Sequence, residues 1–395
     1  MKRLYTYLKD IWYTFCLELH RIFSDTGVLV IFFAAGLLYP LLYSSIYHKN
    51  NLEDVPVAVV DEDDSADSRR FINKLDATPD VKVAYHCVTM SEAEKLFRQH
   101  KVHGVIYFPN DYSSKLANLE QAYMSLYCDM SSFLYYRSVY MGTNFVMLDE
   151  MKSIGIKRYN LKGMNGEDAA KLVEALPYEG VDLFLSSQGF SSFLLPAILI
   201  LILHQTLVIG VAMLCGTAYE EGKHFLPKKL RHRGVHRVVL GRSTAYLVIY
   251  AGLAAYGMIL IPHIFHLPQM ASVTTLFYFA LPFLLATTFF ALTIGNFIRN
   301  RETGVIYLAP LTVILLFISG FAWPQSNVPL FWQWVGYIFP STFAIKGYVS
   351  INTMGATLAQ IRPLLVGLWV QAGVYFLTAI LAIKWSRSRR MSRIN

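Results

Sequence analysis

Apolar residues gather in six long runs, at 27–47, 193–214, 244–264, 272–297, 304–322 and 364–383. Each is close to the ~20 helical residues that cross a ~30 Å hydrocarbon layer. A helix is the expected form, because lipid offers no partners to the backbone and each run must satisfy its own N–H and C=O groups. Between the first two runs, residues 48–190 follow a different rhythm. Short apolar strands are expected at 55–60, 81–85, 102–108 and 123–127, with helical stretches between them, followed by a long helix from 133 to about 156 and a linker over 163–189. Strands alternating with helices predict an α/β layer with a largely parallel sheet. The expected architecture is a polytopic α-helical membrane protein with six transmembrane helices and an inserted α/β extracytoplasmic domain.

Ahead of the first run, Leu4, Leu8, Ile11, Phe15, Leu19 and Ile22 recur at helical spacing, with Lys9, Asp10 and Glu18 on other faces. Residues 1–26 therefore predict an amphipathic helix. It can lie along the inner leaflet with Trp12 and the tyrosines at headgroup level, or pack on a partner protein, since both give the same stripe. Inside the insert, Ser65 begins a helix, and Ser91 with Glu94 has capping-box spacing. The carboxylates from Asp61 to Asp64 resemble a cation site only superficially. They lack the alternating ligands and Gly turn of a Ca²⁺ loop, and acidic residues before a helix serve as electrostatic caps, so no metal is expected.

Charge changes the picture by fixing orientation. The ends and loops assigned inside carry 18 Lys and Arg, whereas the short outside segments carry only Lys346 and Arg362. Positive residues accumulate in cytoplasmic loops, so both termini are expected inside and the insert outside. The insert holds 15 Lys and Arg against 21 Asp and Glu, the rest 20 against 6, so the net +8 is a topology signature and no nucleic-acid surface is implied. The expected domains are an interfacial helix at 1–26, span one at 27–47, the insert at 48–190, spans two to six at 191–384 and a basic tail at 385–395. About 26 residues, Asp10, Glu18 and Asp25 among them, precede the first run, and no small-x-small site follows it, so span one is expected to stay uncleaved. Of four cysteines, Cys87 and Cys128 fall in the insert, where an oxidising compartment permits a disulfide; two buried thiols are the other reading.

Candidate chemistry is sparse. There is no Gly-x-x-x-x-Gly-Lys-Ser/Thr loop to cradle nucleotide phosphates, no His-Glu-x-x-His helix, no Gly-x-Ser-x-Gly elbow and no intramembrane carboxylate pair. His204, deep in span two, either lines a pathway or is a neutral side chain hydrogen-bonded to a neighbouring helix. The loop at 215–242 is richer, with Glu220 and Glu221 followed by Lys223, His224, Lys228, Lys229, Arg231, His232, Arg233, His236 and Arg237. It can bind anionic lipid, or it can transmit force from a cytoplasmic partner. After span five, Pro324, Pro329 and Pro340 interrupt a stretch with three tryptophans, Trp323 included, so 323–345 predicts short, partly re-entrant helices or an external loop with aromatic anchors.

Taken in order, these segments resemble permeases of the ABC transporter type 2 family, over nearly the whole chain. Glu18-Leu-His-Arg-Ile-Phe-Ser-Asp25 is similar to the family's entry motif, Glu220 and Glu221 through Gly241-Arg242 to its coupling region, Arg299-Asn-Arg-Glu302 to its fourth-to-fifth-span turn, and Ser319-Gly320-Phe with Pro324, Pro329 and Pro340 to its re-entrant segment. Each motif alone is degenerate; together, in order, they are fairly specific. One departure is the richness of the coupling region in His and Arg, and its end in Gly-Arg where the family more often has Gly-Lys. The resemblance implies a translocation subunit of an ATP-driven exporter in a bacterial cytoplasmic membrane, paired with a second copy or a paralogue. Spans two and five would line the pathway. Separate ABC ATP-binding subunits would carry ATP and Mg, and this chain would bind no cofactor and catalyse nothing itself. Glu18, Glu220, Glu221, Arg237, Gly241 and Arg242 would couple to the ATPase. The insert can dock a periplasmic adaptor in a two-membrane cell. A non-transporting scaffold or receptor, with the insert as its binding domain, is the alternative.

Overall fold

A computed structural model describes residues 2–47, 51–174, 184, 189–222 and 234–391. The chain divides into two compact units, 51–181 and the remainder.

The larger unit starts with α1 (Lys2–Ser24). Asp25 then turns the chain, its carboxylate accepting from Val28 N at 3.1 Å, into α2 (Thr26–Ile46), the first of six helices long and apolar enough to cross a membrane among the described residues. The others are α8 (Phe190–Glu220), α9 (Val235–Ile264), α10 (Val273–Gly295), α11 (Arg301–Ile318) and α14, which runs from Arg362 to Met391 with its apolar part at Arg362–Ser386. The six apolar runs thus become six helices, several of them extended by polar ends that the hydropathy pattern does not register. α8 is the central post, enclosed along almost its whole apolar length, whereas α2, α11 and α14 turn most of their surface outward. Phe32 of α2, Tyr246 and Tyr250 of α9, and Phe279 and Phe283 of α10 fill the space between the helices. His204 is buried in α8 with its ring 5.9 Å from that of Phe290. Neither of its ring nitrogens bonds a neighbouring helix among the described residues, so that one of its two readings does not hold.

The smaller unit contains β1 (Val55–Asp61), α3 (Ala66–Asp76), β2 (Val81–Cys87), α4 (Met90–Arg98), β3 (Gly104–Phe108), α5 (Tyr112–Ala117), β4 (Ser125–Cys128), α6 (Phe133–Leu161) and α7 (Gly166–Val173). The sheet order is β2-β1-β3-β4, with β1 parallel to both neighbours and β4 antiparallel at the edge. The unbroken apolar run of β1 is the mark of a strand covered on both faces. Val55, Val57 and Val59 pack with Phe71, Leu75, Val139 and Val146 on one side, and Ala58 and Val60 pack with Ala93 and Val105 on the other.

Two expectations in this unit are corrected, and of the two readings for its cysteines one holds. The cap of α4 is Thr89, whose hydroxyl accepts from Glu92 N, so the start falls two residues before Ser91. The stretch taken for linker holds α7. Cys87 and Cys128 are free thiols. They sit on β2 and β4, with two strands between them, and pack against opposite faces of the sheet. At ~4.8 Å per strand spacing, roughly 14 Å separates their strands, and a disulfide spans at most about 7 Å between Cα atoms. The acidic turn behaves as a cap: Asp61 accepts from the backbone N–H groups of Asp63 and Asp64 and from Ser68 Oγ, and Asp63 accepts from Ser113. No metal-binding cluster occurs among the described residues.

Candidate functional site

The polar side of α1 is its packed side. Asp10, Thr14, Glu18 and Ile22, four residues apart, are buried, whereas Leu4, Tyr5, Leu8 and Trp12 are exposed. Residues at i and i+4 share a helix face, so the periodicity correctly marks two faces but does not say which one meets protein. α9 decides it, because its first turns present arginines. The two helices run side by side in the same direction, in register.

Arg237 Nη1 donates to Asp10 Oδ2 at 2.6 Å, with its guanidinium carbon 4.9 Å from the centre of the Tyr7 ring. One turn on, Gly241 faces Thr14 so closely that a Cβ there would lie 2.6 Å from Thr14 Cβ and 2.7 Å from the Ile11 carbonyl oxygen. Next, Arg242 Nε and Nη2 each reach Glu18 Oε1 at 2.7 Å, and the Tyr246 hydroxyl donates to the same oxygen at 2.5 Å. Glu18 and Arg242 are 1% and 2% exposed, so this is a desolvated ion pair rather than a surface contact. Burial pushes the Glu18 carboxyl up, but the Arg242 and Arg21 guanidiniums and the Tyr246 hydroxyl outweigh it and hold the group below its ordinary value.

A second tie lies at the other end of α1. Arg301, the first residue of α11, grips Asp25 with both guanidinium arms, Nη2 to Oδ1 at 2.6 Å and Nη1 to Oδ2 at 3.1 Å. Its backbone N–H donates to Glu220 Oε1 at 3.0 Å, so the last residue of α8 caps the start of α11. Gly216 admits that approach, since a Cβ there would stand 2.7 Å from Arg301 N. Glu221 faces a cavity of about 470 Å³ that His20, Arg21, Asp25, Thr217 and Arg301 also line. Carboxylate–arginine and carboxylate–amide bonds therefore join α1, α2, α8, α9 and α11 at one end of the bundle. The structure brings together Glu18, Glu220, Glu221, Arg237, Gly241 and Arg242. It adds Asp10 and Tyr246, and it pairs Asp25 with Arg301, which stand in the entry motif and in the fourth-to-fifth-span turn. The basic residues 223–233 of the loop lie outside the described residues.

The segment after α11 breaks where its prolines stand. Gly320 takes φ +77°, a left-handed conformation that side chains resist, and the chain turns there. Pro324 precedes a 3₁₀ turn at Gln325–Asn327, Pro329 precedes α12 (Leu330–Gly336), and Pro340 is the first residue of α13 (Pro340–Met354). Gln325 bonds Lys346 and the Tyr337 hydroxyl, and Gln333 Nε2 donates to the carbonyls of Gln325 and Val328, so the broken backbone is held by its own polar side chains. Trp323, Phe331, Trp332 and Trp334 face outward.

Five apolar helices around a sixth as central post, with a polar cross-tied end, define a polytopic membrane protein. The chain belongs to the ABC-2 family transporter proteins, whose family model matches residues 26–381. It is also 22% identical over 393 residues to the linearmycin resistance permease protein LnrN of Bacillus subtilis, covering 93% of this chain and 97% of that one. The protein is thus a multi-pass membrane transporter subunit, of a family that works in general with an ABC ATP-binding partner.

Proposed function

We propose that this permease is the translocation subunit of an ATP-driven exporter of a bacterial cytoplasmic membrane, working as a dimer with a second copy or a paralogue. ATP and Mg are held by separate ATP-binding subunits. Both termini and the cross-tied end are cytoplasmic in this reading, and the insert is extracytoplasmic.

The observation that carries it is the pair of locks. A push on α1 or on the loop after α8 cannot stay local, because Glu18–Arg242 and Asp10–Arg237 pass it to α9 and Asp25–Arg301 passes it to α11. The polar cavity beside Glu221, bordered by α1, α8 and α11, is where a partner's surface would press. A similar protein named as a resistance permease supports export as the direction. Of the two spans expected to line the pathway, the fifth, α11, is the one with surface to offer. α8 has almost no free surface left within one protomer, whereas α11 turns Ile306, Tyr307, Val313 and Phe317 outward, so α11 and the proline-broken segment after it are the surfaces offered to a second permease.

Co-reconstitution with the ATP-binding subunit tests the coupling. Glu220→Ala removes the cap on Arg301 and Glu221→Ala alters the cavity wall; both should leave ATP hydrolysis running while transport falls. Transport that keeps pace with hydrolysis in the double variant would refute the assignment.

A further inference from the structure

The inserted unit has a cavity of its own, of about 420 Å³, bordered by α3, α5, the approach to β4, and α6. That is within the range of small-molecule sites, ~300–1,000 Å³. Its walls are mainly apolar, with Phe71 and Leu116 beside Met124, Met147, Met151 and Ile154. Three methionines make an adaptable wall, since an unbranched thioether chain refits itself to different shapes.

Tyr112 also lines the wall, its ring buried edge-on against Phe108. One polar group in this wall has an unused buried donor. Arg158 donates through Nη2 to the Glu120 carbonyl at 2.9 Å, but its Nε–H is buried without a partner and no carboxylate pairs with it among the described residues. An unmade buried donor is costly, and an acceptor brought by a ligand removes that cost. The two carboxylates in the wall do not supply it. Glu150 is committed to Arg70 and Lys74, and Glu120 meets Arg158 through its backbone oxygen.

We propose that this cavity binds a single-chain amphiphile, its apolar body against the three methionines and its carbonyl or carboxylate head on Arg158 and Tyr112. The site is independent of the exporter reading, since it lies wholly within residues 71–158 and uses none of the cross-tied end. The test uses the full-length protein in nanodiscs and a diazirine-bearing dodecanoic acid. Irradiation should label the α6 segment 147–158 saturably. Unlabelled dodecanoate should displace the label, and dodecylamine should not. Arg158→Gln, which keeps a donor for Glu120, should raise the half-saturating concentration about tenfold, the scale of one lost charge-assisted hydrogen bond. Met151→Trp, at an exposed position on the cavity's edge, should abolish labelling by filling it. Label spread over the chain without saturation would overturn the site, and dodecylamine competing as well as dodecanoate would overturn the acceptor assignment.

Discussion

Neutralising Glu18 or Arg242 separately should damage the protein more than neutralising both. Glu18 Oε1 accepts hydrogen bonds from Arg242 Nε at 2.7 Å and Tyr246 at 2.5 Å, with Arg242 Nη2 2.7 Å away, in a place where both charged side chains are almost wholly buried. Removing one partner of such a pair strands the other charge out of water, at about 3–5 kcal/mol. Each kcal/mol shifts Tm by ~2–4 °C in a domain of 150–250 residues, so Glu18→Leu and Arg242→Met should each lower the midpoint by on the order of 10 °C. The double variant leaves no stranded charge, and buried pairs replaced by apolar residues are often neutral or better. It should therefore recover most of the loss, so the coupling in a double-mutant cycle should be at least as large as one single variant's cost, about 3–5 kcal/mol. Thermal unfolding in detergent, followed by tryptophan fluorescence at a fixed scan rate, reads the order of the four proteins. Additive losses, or single variants that melt with the wild type, would show that the pair is not desolvated and would remove it as a mechanical link.

Two further outcomes follow from the same geometry. Gly241→Val places a side chain into Thr14 and the Ile11 carbonyl, an overpacking of ~1–3 kcal/mol; α1 should lift, and the buried position of Thr14→Cys should become reactive to a maleimide. In the inserted unit, burial raises the Glu150 carboxyl, but hydrogen bonds from Arg70 and Lys74 more than offset it, so the folded pKa lies below the unfolded one. Its contribution is therefore complete above the unfolded value, ~4.3, and is lost as pH falls through the lower folded value. Hydrogen exchange in α3 and α6 should speed up on acidification below about pH 4, and Glu150→Gln should be less protected at neutral pH with a flatter acid response.

The membrane architecture was legible because hydrocarbon imposes a length and a composition that few other contexts require, and 27–47 or 364–383 can hardly be read otherwise. The parallel strands were legible for a similar reason, since a run such as 55–60 without alternation must be covered on both faces. The packing of α1 was not. Its apolar stripe reads as a face for lipid or a partner protein, and Leu4, Leu8 and Trp12 do turn out; what the pattern does not show is that Asp10 and Glu18 turn inward onto the basic start of α9. Periodicity reports that two faces differ, and only the partner's chemistry says which one is covered. Glu18, Asp25, Glu220, Gly241, Arg242 and Arg301 stand in motifs that the resemblance marks, whereas the pairing of Asp10 with Arg237 and of Asp25 with Arg301 is visible only once the chain brings residues more than two hundred positions apart into contact. The possible Cys87–Cys128 bond failed on strand order, which pairwise spacing along a sequence does not contain.

Purification of the solubilised protein from its native membrane, with quantitative mass spectrometry of what accompanies it, tests the central claim most directly. A soluble ABC ATP-binding subunit should accompany the permease in a fixed ratio and be released when Glu221→Lys reverses the charge at the cavity edge. A permease that repeatedly comes out with no ATPase, or with a stoichiometric partner held by the inserted unit alone, would contradict it.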